Sequence, residues 1–171
     1  FAKGRAYTYT GKQIKPVLKK VVVGITYKKE DGTIETATKT ITRFSKVTYK
    51  NNISIGKGYA VVTIEGKTIE VPFEIKLGKV TSFKARSTSY TTIKLTWSKV
   101  AGASGYVIYR ALDGSSNYKK LKTITSGTTT YYNNTNLPLG ELYRYKIRPY
   151  RISNGKTVNG ELSKSILKAV R

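Results

Sequence analysis

Ile93-Lys94-Leu95-Thr96-Trp97-Ser98-Lys99-Val100-Ala101-Gly102-Ala103-Ser104-Gly105-Tyr106-Val107-Ile108-Tyr109-Arg110 is the stretch on which the reading of this chain turns. Ile93, Leu95 and Trp97 alternate with Thr92, Lys94, Thr96 and Ser98. That is the period of a strand with one face buried. A Gly/Ala/Ser turn follows, and Tyr106-x-Ile108 opens a second alternating strand. The single tryptophan falls on the inward face of the first strand, so a core is expected to form around it.

Outward from that hairpin the rest of the 171 residues has the same character. Thr, Val, Ile and Tyr abound, apolar runs are short, and turn residues recur about every 8–12 positions, the spacing of β-sandwich modules. The sequence contains no convincing amphipathic helix and no apolar run of bilayer-spanning length, so no membrane insertion is expected. It has neither an initiator Met nor a signal-peptide pattern, and is therefore expected to be an excerpt of a longer protein.

Cysteine and histidine are both absent. Disulfides, thiol nucleophiles and triads that use histidine are thereby excluded, and neither a zinc site nor a cofactor is expected. A chain without cysteine suits the cytosol, and it equally suits a Gram-positive surface protein held by its core alone. The net charge is +23. Such an excess implies attraction to polyanions: nucleic acid, teichoic acid or acidic glycans.

Residues 1–77 read as a first sandwich. Tyr7-Thr8-Tyr9-Thr10 is a short strand ending at Gly11, and Pro16 introduces a run through Tyr27. Glu30-Asp31-Gly32-Thr33 is a hairpin signal, because Asp-Gly readily supplies positive φ. Ile34–Ile41 is a Thr-rich strand and Val47-Thr48-Tyr49 another; Asn51-Asn52 and the Gly56/Gly58 pair mark loops. Tyr59–Glu65 and Thr68–Lys76 then flank Gly66-Lys67 as a two-residue turn. Ile69, Val71, Phe73 and Ile75 face one way, and Thr68, Glu70, Pro72 and Glu74 the other, with Glu70 and Glu74 as solvated surface. Pro72, lacking an N–H, is expected at an edge or a bulge. These residues resemble the Ig-like repeats found in tandem in bacterial, mainly Gram-positive, surface proteins. The match lies in Tyr7-Thr8-Tyr9-Thr10-Gly11-Lys12-x-Ile14-x-Pro16, in Tyr49-Lys50-Asn51-Asn52 with Gly56, and in Val61-x-Thr63-Ile64-x-Gly66 with Phe73-x-Ile75.

Lys76-Leu77-Gly78-Lys79-Val80 is the only plausible joint between modules. Residues 78–171 carry Trp97, Gly102-Ala103-Ser104-Gly105-Tyr106-x-Ile108, and Leu137-Pro138-Leu139-Gly140-x-x-Tyr143-x-Tyr145-x-Ile147. In this they resemble a fibronectin type III domain of the bacterial kind. The resemblance implies that Leu137 is buried and that the Tyr143 hydroxyl closes a corner between two sheets. Pro149 departs from the pattern and is expected to interrupt the pairing of its strand or to form a bulge.

Catalytic chemistry has little purchase in this sequence. Nine acidic residues are present, and none lies in a motif that places it beside another. Glu30/Asp31 and Asp113-Gly114 read as turn residues. There is no phosphate-binding glycine loop before a helix and no acidic calcium-loop spacing. A Lys–Asn isopeptide crosslink, found in some bacterial Ig-like adhesin modules, needs a buried acid, and no acid sits on an apolar strand face.

The charge divides unevenly: 15 basic and 6 acidic residues in 1–77 give +9, and 17 and 3 in 78–171 give +14. With Tyr143, Tyr145 and Ile147 inward, Arg144, Lys146 and Arg148 form an outward row. Tyr109 points outward on the neighbouring strand, and Lys119, Lys120 and Lys122 follow on the next segment. A cationic face bearing aromatics is predicted. Two explanations compete for it: solubility with blunted strand edges, or retention of an anionic polymer. Tyr and Arg together would stack on sugars or bases while cations meet phosphates or carboxylates. Nothing resembles a helix-type or RNP-type nucleic-acid motif, so nucleic acid would bind only nonspecifically.

The sequence therefore predicts an all-β chain of two tandem β-sandwiches, Ig-like over 1–77 and fibronectin type III-like over 78–171. It is expected to be a non-catalytic segment of an extracellular or cell-wall-associated bacterial protein, acting as a semi-rigid spacer and adhesive. Its expected partners are other domains of the parent chain and an anionic wall polymer or glycan. The alternative is a pair of accessory modules in a secreted glycoside hydrolase or cell-wall hydrolase whose catalytic domain lies outside this segment.

Overall fold

The computed structural model describes residues 5–171. It is all-β, with fourteen strands and no helix among the described residues. The chain divides into two compact units: Phe1–Tyr7 with Lys12–Ile75, and Thr8–Gly11 with Lys76–Arg171.

In the first unit a four-stranded sheet runs in the order β1 (Ala6–Thr8), β6 (Lys67–Lys76), β5 (Gly56–Ile64), β4 (Val47–Lys50). Its second layer is a two-stranded ribbon, β2 (Val21–Lys28) and β3 (Ile34–Ile41), paired from Val21↔Ile41 to Lys28↔Ile34. Leu18, Val21 and Val62 form the buried centre, with Val23, Phe44, Val47, Ile64, Ile69 and Val71 packed against it. The apolar alternation of β6 is as read: Phe73 and Ile75 are buried, Ile69 and Val71 half-buried, and Glu70 and Glu74 exposed. Only the root of the ribbon reaches this core, so Ile25, Tyr27 and Ile34 further along it are exposed.

Motif residues of this unit tie distant segments together. Ile14 N–H donates to the Asn52 carbonyl (2.8 Å), the Asn52 amide donates to the Ile14 carbonyl (3.1 Å), and the Tyr49 hydroxyl donates to the Pro16 carbonyl (2.7 Å). One expectation is corrected here and another narrowed. The β5–β6 turn is Glu65-Gly66, one residue earlier than Gly66-Lys67, with φ of 50° and 76°. Two positive φ values define the turn whose twist suits a hairpin, and Lys67 is thereby freed to pair with Ile64. Pro72 is not at a bulge: its strand's ladder with β5 has no register shift. The Glu74 N–H points away from β5, to the Arg5 carbonyl. Backbone groups two residues apart in a strand point to the same side, so the Pro72 nitrogen also faces away from β5 and no bond of that ladder is lost.

The second unit is a sandwich of two sheets. One runs β7 (Lys84–Ser89), β8 (Thr92–Thr96), β11 (Tyr131–Asn134). The other runs β10 (Lys119–Ile124), β9 (Gly105–Leu112), β12 (Leu142–Ser153), with β13 (Lys156–Asn159) and β14 (Ile166–Ala169) both pairing β12. Sequential strands β8 and β9 thus lie in opposite sheets, as in Ig-type and fibronectin type III sandwiches. Ile93, Leu95, Trp97, Tyr106, Ile108, Tyr145 and Ile147 are all 5% exposed or less and form the core. Each such aliphatic side chain contributes about 1.5–3 kcal/mol by leaving water. Trp97 and Tyr106 meet edge-to-face at 5.3 Å, and the Tyr106 hydroxyl accepts from Val100 N–H and donates to the Gly127 carbonyl.

The structure also corrects one expectation in this unit and narrows another. Leu137 and Tyr143 are buried, but the inter-sheet hydrogen bond belongs to Tyr145, whose hydroxyl accepts from the Asn134 amide at 2.8 Å. Tyr143 packs instead beneath the Arg110 guanidinium, 4.8 Å from its ring centre. The interruption expected at Pro149 falls on one side of its strand only: the β9–β12 ladder runs unbroken from Tyr143↔Leu112 to Tyr150↔Gly105, and the pairing on the opposite side is divided there. The reason is again direction: Ile147 N–H points to the Ser163 hydroxyl on the other side, so the Pro149 nitrogen faces that side too. There the partner strand is already divided, β14 pairing residues 142–145 and β13 pairing 150–153. Gly160 occupies the gap, its N–H on the Pro149 carbonyl, and a Cβ there would come within 2.7 Å of the proline ring.

Candidate functional site

Residues directly opposite each other on paired strands share a face. The registers Lys120↔Tyr109 and Tyr109↔Lys146 therefore set these three side chains in one row across β10, β9 and β12 on the outer face of the larger sheet. Arg144 and Arg148 flank Lys146 on the same face, each about 7 Å from it along the strand. All three alternate with buried Tyr143, Tyr145 and Ile147.

These cations differ in what they touch. The Arg144 Nε donates to the Asp113 carboxylate at 2.6 Å, so that charge is locally compensated. The Lys146 ammonium lies 4.2 Å above the Tyr118 ring, and the Tyr118 hydroxyl is hydrogen-bonded to Ser165 at 2.6 Å. The Arg148 guanidinium lies 5.5 Å above the Tyr109 ring. Its buried Nε has no hydrogen-bond partner among the described residues. Each of these rings therefore holds one of the protein's own cations and serves as a support under charge.

Lys119 and Lys122 do not join the row. The β9–β10 register shifts between Lys120 and Lys122, which places Lys119 opposite Arg110 and Lys122 opposite Ile108. Strand alternation sets Lys119 on the face opposite to Lys120, and the bulge turns Lys122 to that same inward side at the sheet edge. Three participants escaped the sequence reading: Tyr118, Asp113 and Arg110. Tyr118 follows a loop with no strand alternation to orient it, and Asp113 had been counted only as a turn former.

Arg110 stands apart. It shares its face with buried Tyr106 and Ile108, reaches Asn134 Oδ1 only at 3.5 Å, and stacks on Tyr143. Beside it opens a concavity of ≈ 590 Å³ walled by Arg110, Lys119 and Lys120 and by Leu112, Leu121 and Tyr143. No carboxylate lines it.

Acidic groups elsewhere are dispersed. Glu35, Glu65 and Glu70 pair with Lys29, Lys39 and Lys50 at 3.2, 2.6 and 2.7 Å on exposed surface of the first unit. The Tyr27 hydroxyl and Lys29 hold Glu35 below the usual carboxylate range, and Lys39 does the same for Glu65. Among the described residues no three acidic side chains gather as a metal-binding group.

No family profile matches the chain, and no curated protein matches it. Solved structures similar to part of it are fibronectin type III domains. The fn3 domain of human contactin 1 is 14% identical, with a TM-score of 0.47 over 55% of this chain and 77% of that one. A Fn3-like protein from Clostridium thermocellum is 29% identical, with a TM-score of 0.44 over 53% of this chain and 90% of that one.

Proposed function

We propose that this chain is a pair of non-catalytic modules, Ig-like and then fibronectin type III-like, from a larger extracellular or wall-associated protein of a Gram-positive bacterium. The modules space or present neighbouring domains, and the outer face of β12, β9 and β10 holds an anionic polymer of the cell wall or a host glycan. One observation carries this reading. Lys146 and Arg148 are propped on tyrosine rings beside Lys120, and no acid is paired with any of the three among the described residues. Pre-positioned charges lose less side-chain freedom on binding than free lysines do.

Retention on teichoic acid or heparin at 150 mM salt tests the proposal. Lys146→Ala with Arg148→Ala should weaken binding about tenfold or more and lower the salt slope by about one for each cation removed. Arg144→Ala, whose charge is already answered by Asp113, should weaken it less. Unchanged retention in the double variant would exclude this face.

A further inference from the structure

We infer that the concavity beside Arg110 is a second anion site, and that it takes a terminal phosphate monoester carried on a small polyol or sugar. Arg110 and Lys119 are directly opposite on β9 and β10. Like charges so placed repel, and nothing within the protein relieves them: no carboxylate lines the concavity, and no ion pair of Lys119 or Arg110 occurs among the described residues. Arg110 is also half-spent. Its guanidinium is fixed by the Tyr143 ring, and its single side-chain hydrogen bond, to Asn134, is long at 3.5 Å. A planar fork held in place with donors to spare is suited to two oxygens of one anion.

The number of charges selects the anion. Arg110, Lys119 and Lys120 border one space, so a carboxylate would leave much of their charge unanswered. A phosphate monoester carries about −1.5 to −2 at neutral pH and three acceptor oxygens. Leu112 and Leu121 supply an apolar wall for a short carbon skeleton. The volume, ≈ 590 Å³, lies in the range of small-molecule sites. Alternation along β10 sets Lys119 on the side of Arg110, while Lys120, in the outer row, also borders the hollow. The assignment extends the reading above in one respect: the monoester is the end group of the polymer whose length lies along the outer face.

The test is a titration of the whole 171-residue chain with glycerol 3-phosphate, followed by amide and side-chain NMR. Saturable shifts are expected at Ala111, Leu112, Leu121 and the Arg110 side chain, with glycerol giving none and glycerate shifting the same signals several-fold more weakly. Lys119→Ala, at an exposed position that leaves the fold intact, should weaken glycerol 3-phosphate about tenfold, and Lys119→Arg should restore it. Lys146→Ala with Arg148→Ala should leave this affinity unchanged while weakening polymer retention about tenfold or more. Shifts centred on the outer row, equal binding of glycerate, or indifference to Lys119→Ala would overturn the inference and leave the polymer reading standing. Loss of polymer retention is decided separately, by the outer-row variants alone.

Discussion

The two units answer the same problem, too many cations, in different ways. In the first, lysines find acids: Lys29, Lys39 and Lys50 pair with Glu35, Glu65 and Glu70. In the second, acids are scarce and cations settle on rings, as Lys94 on Tyr131, Arg110 on Tyr143, Lys146 on Tyr118 and Arg148 on Tyr109. A surface ion pair cancels charge and is worth about 0–1 kcal/mol. A cation on a ring contributes a similar amount, about 0.5–1 kcal/mol when exposed, but leaves the charge unanswered. Three cations of the first unit are thereby answered, whereas the ring-held cations of the second keep their charge. Their cores differ as well. The second has two full sheets around wholly buried Tyr106, Ile108, Tyr145 and Ile147, whereas half of the first unit's second layer is exposed ribbon.

The largest test of this contrast lies in the cores. Ile147→Ala removes a side chain with no exposure and should cost the second unit about 2–5 kcal/mol. Ile25→Ala, on the exposed part of the ribbon at 37% exposure, should stay within about 0.5 kcal/mol. Chemical denaturation of each variant measures both, and similar losses would break the comparison.

A smaller effect is expected at Tyr145. Burial pushes its hydroxyl up to about 12. Because the folded value lies above the ordinary 10, the contribution of the neutral form is complete below about pH 10 and is lost as pH rises toward 12. Tyr145→Phe leaves the Asn134 amide without its partner and should cost about 1–3 kcal/mol. It should also remove the latest step from an alkaline absorbance titration.

The smallest effect is on the acid side of the first unit. Asp31 is held low by hydrogen bonds from the Thr33 hydroxyl and N–H, Glu35 by Tyr27 and Lys29, and Glu65 by Lys39. Depressed carboxylates stabilise above about pH 4, and that contribution fades as pH falls through their folded values. Amide exchange in β2 and β3, corrected for its intrinsic rate, should therefore quicken between about pH 5 and 2. An unaltered ribbon would show that these exposed contacts contribute nothing.

What could be read from residues alone was whatever a core dictates. Ile93, Leu95 and Trp97, and Tyr143, Tyr145 and Ile147, alternate because one face of each strand is buried, so their orientation follows from polarity alone. The edge strand β10 was less legible. Its lysines are exposed on either side, so polarity carries no trace of the bulge that turns Lys122 away from the face of Lys120. Pro72 and Pro149 were legible only in part, for another reason. A missing N–H matters only on the side where it would have pointed, and that direction is set by register, which the residue's identity does not encode. Arg110 was invisible as a site because its importance lies in facing Lys119 across two strands.

The gap at Gly160 has a consequence for the molecule among its neighbours. Where a single long terminal strand would have displayed an uninterrupted file of free amides and carbonyls, this sheet ends in two four-residue fragments parted by a glycine seated on a proline ring. Another chain arriving at that rim finds no template long enough to extend.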